Sequence, residues 1–264
     1  MKKSYLKKCY MVISSAVIFI LQLPFVFAKA IPFSEVKWKP RPLRLERAIE
    51  ADSTFGNMKT VIGNSIGALY NSLRLNLMGL SEQAFEYAMM GFDLLVKAGK
   101  VTNDKIISII DFSQPSSKKR LFVIDLASNQ VVFNTYVAHG MNSGTDYARC
   151  FSNTPGSEQS SPGFYETLNT YIGHNGYSLQ LQGLECGIND NANRRAIVVH
   201  GAPYVSEGFI QTRGYIGRSL GCPAVPVNLN RPIIDRIKDG TCLFIYSPDK
   251  NYLNRSGLLY PAGI

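Results

Sequence analysis

The chain has 264 residues, 45% hydrophobic and 18% charged, with a formal net charge of +9. That balance supports a packed core and excludes a disordered chain; 22 Gly, 13 Pro and 11% aromatic residues exclude a coiled coil, a collagen-like repeat and a low-complexity scaffold. A single long apolar run excludes a multi-span membrane protein.

That run comes first. Lys2, Lys3, Lys7 and Lys8 precede an apolar stretch from Met11 to Phe27, and Val26-Phe27-Ala28 and Ala28-Lys29-Ala30 both offer small residues where a signal peptidase reads. Residues 1–28 therefore read as a signal peptide, and membrane contact is expected through this segment only. The alternative is an uncleaved anchor, since a run of about 17 apolar residues can just span a bilayer. Cleavage before Lys29 leaves 24 basic and 19 acidic residues, a mild +5. No basic and aromatic residues interleave in a stripe, so nucleic acid is not an expected partner. Of the four remaining cysteines, none forms a C-x-x-C pair, which argues against a ribbon-type zinc site.

Residues 29–104 read as a helical N-terminal extension. Pro32, Pro40 and Pro42 make its start extended, and an earlier helix is expected within Ala48 to Leu77. Ser81 is a good N-cap for a helix carrying Ala84, Phe85, Ala88, Phe92 and Leu95 on one face, with Leu80 as a staple and Gly99 as the stop. From residue 105 to 250 the pattern turns to strands: Ile106 to Phe112, Leu121 to Leu126, Val131 to Ala138, Ser178 to Leu181, Ala196 to His200 and Thr241 to Ser247. Gly140 to Gly176 reads as one long loop of the kind that carries function. A short helix is expected with Asn230 as cap, Pro232 in the first turn and Gly240 as stop. Residues 251–264 read as a C-terminal tail.

Three histidines are available for chemistry, His139, His174 and His200. His200 ends an apolar strand, and Cys222 closes the glycine-flanked turn Ser219-Leu220-Gly221-Cys222. Eighteen residues separate His200 from Ser219, enough for an excursion that returns the chain beside the strand. A thiol titrating near 8.5 needs a base or positive surroundings to react at neutral pH, and a strand-end imidazole is a suitable base. On residues alone a buried structural cysteine and histidine remain the commoner reading. A mixed His/Cys metal site would need ligand pairs at helical or knuckle spacing, and none is present.

Val198-Val199-His200-Gly201 followed by Ser219-Leu220-Gly221-Cys222 resembles the signature of the L,D-transpeptidase (YkuD-like) catalytic family. Ser160-Ser161-Pro162-Gly163-Phe164-Tyr165 is similar to that family's earlier Pro-Gly turn. Tyr136-Val137-Ala138-His139-Gly140, Phe151-Ser152-Asn153 and Gly187-Ile188-Asn189-Asp190 resemble its murein-acting branch. The resemblance spans residues 105 to 250 and implies a mainly β, α+β fold, with a β-sandwich catalytic domain behind the helical extension. It implies attack by Cys222 on the L-centre of a peptidoglycan tetrapeptide stem, with His200 as general base and the Gly201 carbonyl orienting the imidazole. Backbone N–H groups around Gly221 and Cys222 would hold the oxyanion. Ser219, Arg218, His139, Ser152 and Asn153 are the expected substrate-binding residues. No metal and no organic cofactor is implied, the partner is the stem peptide, and the expected address is the periplasm. Two departures stand out: Leu220 occupies a position commonly His, and Ala224 one commonly Arg, for which Arg218 or Arg213 is a candidate substitute. A hydrolase at the same L-centre, or a binding protein without catalysis, is the rival reading. Cys150 and Cys186 lie in loops where a disulfide is one alternative.

Overall fold

A computed structural model of the protein describes Gly63 and residues 65–259, all within one compact unit. The expected signal peptide, the proline-rich start of the extension and most of the earlier predicted helix lie outside the described residues. A helical stretch over 65–72 leads into α1 (Leu75–Met78) and α2 (Glu82–Lys97). Ser81 caps α2 as expected, its hydroxyl accepting from the Ala84 N–H at 3.0 Å. The Ser81 N–H in turn donates to Asp111 at 3.0 Å, tying the helix start to the end of β1.

Eight strands follow the pattern only in part: β1 (Ile106–Asp111), β2 (Leu121–Asp125), β3 (Gln130–Thr135), β4 (Gly163–Gly173), β5 (Gly176–Gly183), β6 (Val198–Gly201), β7 (Ala224–Val225) and β8 (Cys242–Tyr246). They form one mixed sheet in the order β3-β2-β1-β8-β4-β5-β6-β7, with β1–β8 and β6–β7 parallel. Helices α3 (Glu207–Arg213), α4 (Val227–Ile237) and α5 (Lys250–Arg255) complete the described chain. The expectation of a mainly β, α+β fold holds.

β1 and β8 are buried along their whole length because both faces of the sheet are covered, which is why they read as unbroken apolar runs. Ile107, Ile109, Phe122, Ile124, Phe164 and Phe244 meet Phe85, Phe92 and Leu95 of α2 on one face. Ile106, Ile110, Val123, Tyr165, Leu243 and Ile245 meet Ile233, Ile234 and Ile237 of α4 on the other. Gly91 lets α2 settle on the sheet, since a Cβ there would lie 2.1 Å from the Phe164 ring. A boundary drawn at residue 104 therefore falls between a helix and a strand that share one core. The stretch read as a tail also packs inward, with Tyr252 and Leu259 buried.

The sheet edges approach each other. Past β3, the predicted strand Val131 to Ala138 leaves the β2 ladder, and Ala138 donates to Ala224 O of β7 at 2.8 Å. Ser219 then donates to His139 O at 2.9 Å and Met141 to Ser219 O at 2.7 Å. This barrel-like closure covers an otherwise open edge and brings the 219–223 turn against the loop that follows residue 139.

Three expectations change. The loop read from Gly140 to Gly176 stops at Pro162, and β4 begins at Gly163; the outer half of β4 and β5 make a hairpin closed by His174-Asn175, with His174 exposed. α3 is unanticipated because it is short and fully buries no residue, with Ile210 packing only partly against the cluster of Ala138, Ala202 and Val205. α4 starts at Val227, so Asn230 is inside the helix; its amide reaches across to Tyr177 O at 2.7 Å instead of capping.

Candidate active site

His200 lies one residue before the end of β6 and is 4% exposed. It pairs with Ser178 of β5 on one side and with Ala224 of β7 on the other. Cys222 lies two residues before the β7 partner of His200, and its sulfur meets the Val198 N–H of β6. The structure thus brings the turn that carries Cys222 to the strand that carries His200, although a helix and two loops lie between them in the chain.

The 219–222 turn is held by its own residues. Ser219 Oγ donates to Cys222 O at 2.6 Å and accepts from the Gly221 N–H at 3.1 Å. Gly221 has φ +120°, and a Cβ on it would come within 2.8 Å of Gln159 O. Only glycine fits here, on both counts. Its carbonyl accepts from Ser160 Oγ at 3.1 Å, so the turn is docked onto the 140–162 loop.

The imidazole of His200 has a defined tautomer. Nδ1 lies 3.1 Å from Gly201 O, and because a carbonyl only accepts, Nδ1 carries the proton. Nε2 is then the basic nitrogen. Burial lowers the His200 pKa below the usual imidazole range, with the Gly201 carbonyl working against that shift. Burial raises the Cys222 thiol, opposed by the Val198 N–H and by the positive charge of Arg195. The thiol donates to Ala196 O at 3.6 Å, and the His200 ring is not among its hydrogen-bond partners in this conformation. Ala196 itself has φ +54°, a left-handed conformation costly for alanine, which turns its carbonyl toward the sulfur. Replacing Ala196 with glycine is expected to raise stability by about 1 kcal/mol, read as an increase of a few degrees in Tm.

The expected oxyanion donors are only partly available. The Gly221 N–H is committed to Ser219, whereas the Cys222 N–H has no hydrogen-bond partner among the described residues. Ser219, expected to bind substrate, is 5% exposed and shapes the turn from within.

His139 corrects the sequence reading most plainly. Expected to line a substrate groove, it is wholly buried, its Nδ1 2.7 Å from Arg120 Nη2 and its Nε2 3.2 Å from Gly144 O. A guanidinium only donates, so Nδ1 accepts and Nε2 carries the proton, the opposite tautomer to His200. Burial, then the Arg120 charge, holds the His139 pKa down at about 3. Arg120 is also fully buried, donating to Val137 O and Gln114 O and packing 4.7 Å from the Phe112 ring centroid. Nothing in the sequence marks Arg120 for this role, because it ends the run Lys118-Lys119-Arg120, which looks like a solvated charge cluster.

Arg218 donates to Met141 O and Gly144 O at 3.2 and 3.1 Å, and Arg213 stacks on Phe209, so both guanidinium groups already serve their own surroundings. Ser152 and Asn153 line a cavity of about 190 Å³ with Phe151, Ile188, Tyr252 and Arg255; Cys222 and His200 are not part of it. Asn153 is bound to Asp190 at 2.6 Å and to Asn191 at 3.1 Å. Leu220, two residues before Cys222, is 64% exposed. Cys150 and Cys186 are exposed, unpaired thiols, and Cys242 is buried in the core. Among the described residues no group of three or more His, Cys, Asp or Glu side chains lies close enough to hold a metal ion.

A family model described as an L,D-transpeptidase catalytic domain matches residues 77–246. Solved structures similar to the chain include an L,D-transpeptidase from Mycobacterium smegmatis at 11% identity, with 54% of this chain and 59% of that one covered and a TM-score of 0.35. Others are an L,D-transpeptidase from Mycobacterium tuberculosis H37Rv, at 13% identity, 54% and 58% coverage and TM-score 0.33, and one from Enterococcus faecium, at 12%, 54% and 50% coverage and 0.34. The chain therefore spans little more than half the length of those structures. No curated protein matches it.

Proposed function

Because this chain belongs to the L,D-transpeptidase catalytic-domain family, we propose that it is an exported, cysteine-dependent peptidoglycan L,D-transpeptidase working in the periplasm. The observation that supports the reading is the pairing of β6 with β7, in which His200, its Nε2 left basic, lies opposite Ala224, two residues after Cys222. Cys222 Sγ attacks the carbonyl at the L-centre of the diaminopimelate residue in a tetrapeptide stem while Nε2 of His200 takes the thiol proton. The tetrahedral oxyanion is met by the free Cys222 N–H. Collapse breaks the amide bond, His200 returns the proton to the leaving D-alanine amine, and a thioester remains on Cys222. The amine of a second stem then attacks the thioester, giving a cross-link and restoring the thiol. Water in its place makes the same site a carboxypeptidase.

Mass spectrometry of the purified protein with disaccharide-tetrapeptides tests this. A cross-linked dimer supports transpeptidation; tripeptide plus D-alanine alone supports the hydrolase; neither product nor acyl-enzyme, from folded protein, removes the catalytic reading. A carbapenem should add its mass to Cys222 in the same experiment.

The two pKa shifts set the pH profile. A lowered His200 keeps its basic nitrogen free below the ordinary imidazole range, and a raised Cys222 keeps the thiol neutral above the ordinary thiol range. The acid limb of kcat/KM is therefore expected below about pH 6.5, with a plateau through about pH 8. An acid limb centred above the free imidazole value would contradict a buried neutral base.

A further inference from the structure

We infer that Arg195 is a positioning residue for the nucleophile: its guanidinium clamps the 152–161 loop against the Cys222 turn and supplies the positive charge that the thiolate faces. This rests on Cys222 being the nucleophile. Arg195 donates through Nη1 to Ser152 O at 2.7 Å and Ser161 Oγ at 2.6 Å, and through Nη2 to Ser157 Oγ at 3.1 Å and Gln159 O at 2.6 Å. Four bonds from one side chain gather both ends of the loop, and the planar fork of arginine suits such a role. The same Gln159 carbonyl lies against Gly221, and Nη2 would be 3.5 Å from a Cβ built there. The clamp and the reactive turn therefore share a contact.

The residue after Arg195 is Ala196, whose left-handed backbone hands its carbonyl to the thiol. One dipeptide thus presents an acceptor to the neutral thiol and a cation to the thiolate. The guanidinium opposes the upward shift that burial imposes on Cys222. Other titratable groups around the sulfur do not supply that charge. Burial disfavours the charged form of His200, on β6, and raises Tyr204, in the loop after β6, to about 12, with Cys222 contributing to the rise. Glu158 of the clamped loop interacts with Asn142. Among the described residues Arg195 is the cation set against the turn that carries the sulfur.

Two variants separate charge from clamp. Arg195→Gln keeps some hydrogen bonding and loses the charge; Arg195→Lys keeps the charge and loses the fork. The readout is the pH dependence of Cys222 alkylation by iodoacetamide, followed at the peptide level because Cys150 and Cys186 are also exposed. Limited proteolysis of the 152–161 loop is measured alongside. Arg195→Gln should slow alkylation at about pH 8 roughly tenfold and move the profile to higher pH. Arg195→Lys should hold the wild-type profile while its loop is cut faster. A wild-type profile in Arg195→Gln, or an equal displacement in both variants, overturns the inference. Should the glutamine form fail to fold, the lysine profile decides: unmoved, it supports the charge; raised, it overturns it. No cell-wall substrate is involved, so turnover of stem peptides by Cys222→Ala would remove the nucleophile assignment through a separate result.

Discussion

Replacing Cys222 with alanine is expected to abolish both thioester formation and cross-linking, a loss of at least about a thousandfold, while the fold survives. The expectation of survival follows from the surroundings of the sulfur. Cys222 is only partly buried, and its one hydrogen bond as a donor is a long contact to Ala196 O at 3.6 Å. The sulfur packs at the edge of the second core cluster, so truncation there is expected to cost about 1 kcal/mol, short of unfolding the protein. Cys242 provides the control. It is fully buried among Phe244, Ile107 and the α2 side chains, so Cys242→Ala opens a cavity and should cost roughly 1–2 kcal/mol without touching the chemistry. Thermal melts and acyl-enzyme mass on the two variants check the contrast. Full loss of fold in Cys222→Ala would point instead to a structural thiol.

The second large effect is acid lability centred on His139. In the folded protein its pKa is held at about 3, whereas an unfolded imidazole titrates near 6.5. Below about pH 6.5 the unfolded chain binds a proton that the folded chain refuses, so stability is complete above that value and falls with acidification until the folded pKa is reached. By about pH 4 the loss from this one group is about 3 kcal/mol. Glutamine can accept from Arg120 and donate toward Gly144 O without titrating. His139→Gln is therefore expected to flatten the slope of unfolding free energy between about pH 6.5 and 4, measured by denaturant titration. An unchanged slope would mean that the ring is protonated in the folded state, against the Arg120 donor 2.7 Å away.

Local residues carry much of the architecture. The serine cap, the apolar spacing through Phe85, Phe92 and Leu95, and the β-branched runs at residues 106–111 and 242–246 match the elements that form, because capping and side-chain periodicity act over a few residues. The outer half of β4 is illegible for the opposite reason. Beyond Thr167 it leaves β8 and runs as a partly exposed hairpin arm, with Tyr171 and Ile172 in the open, so no burial pattern marks it as a strand. The proposed pair is legible as two motifs, His200-Gly201 and Ser219 to Cys222, and the approach of their segments depends on the β6–β7 register, a contact between distant parts of the chain.

The chain carries the dipeptide His-Gly twice, as His139-Gly140 and His200-Gly201, and both read as parts of the site. Sequence by itself determined the helix over 82–97, the apolar strands, and the two residue types that make nucleophilic chemistry possible. Tertiary structure alone decided which histidine keeps Nε2 available as the proposed base. At His200 a carbonyl accepts the Nδ1 proton and leaves Nε2 basic; at His139 a buried guanidinium occupies Nδ1 and makes the ring a strut. A tautomer is set by what stands within about 3 Å of the ring, the span of a hydrogen bond, and Arg120 comes to His139 from 19 residues away along the chain.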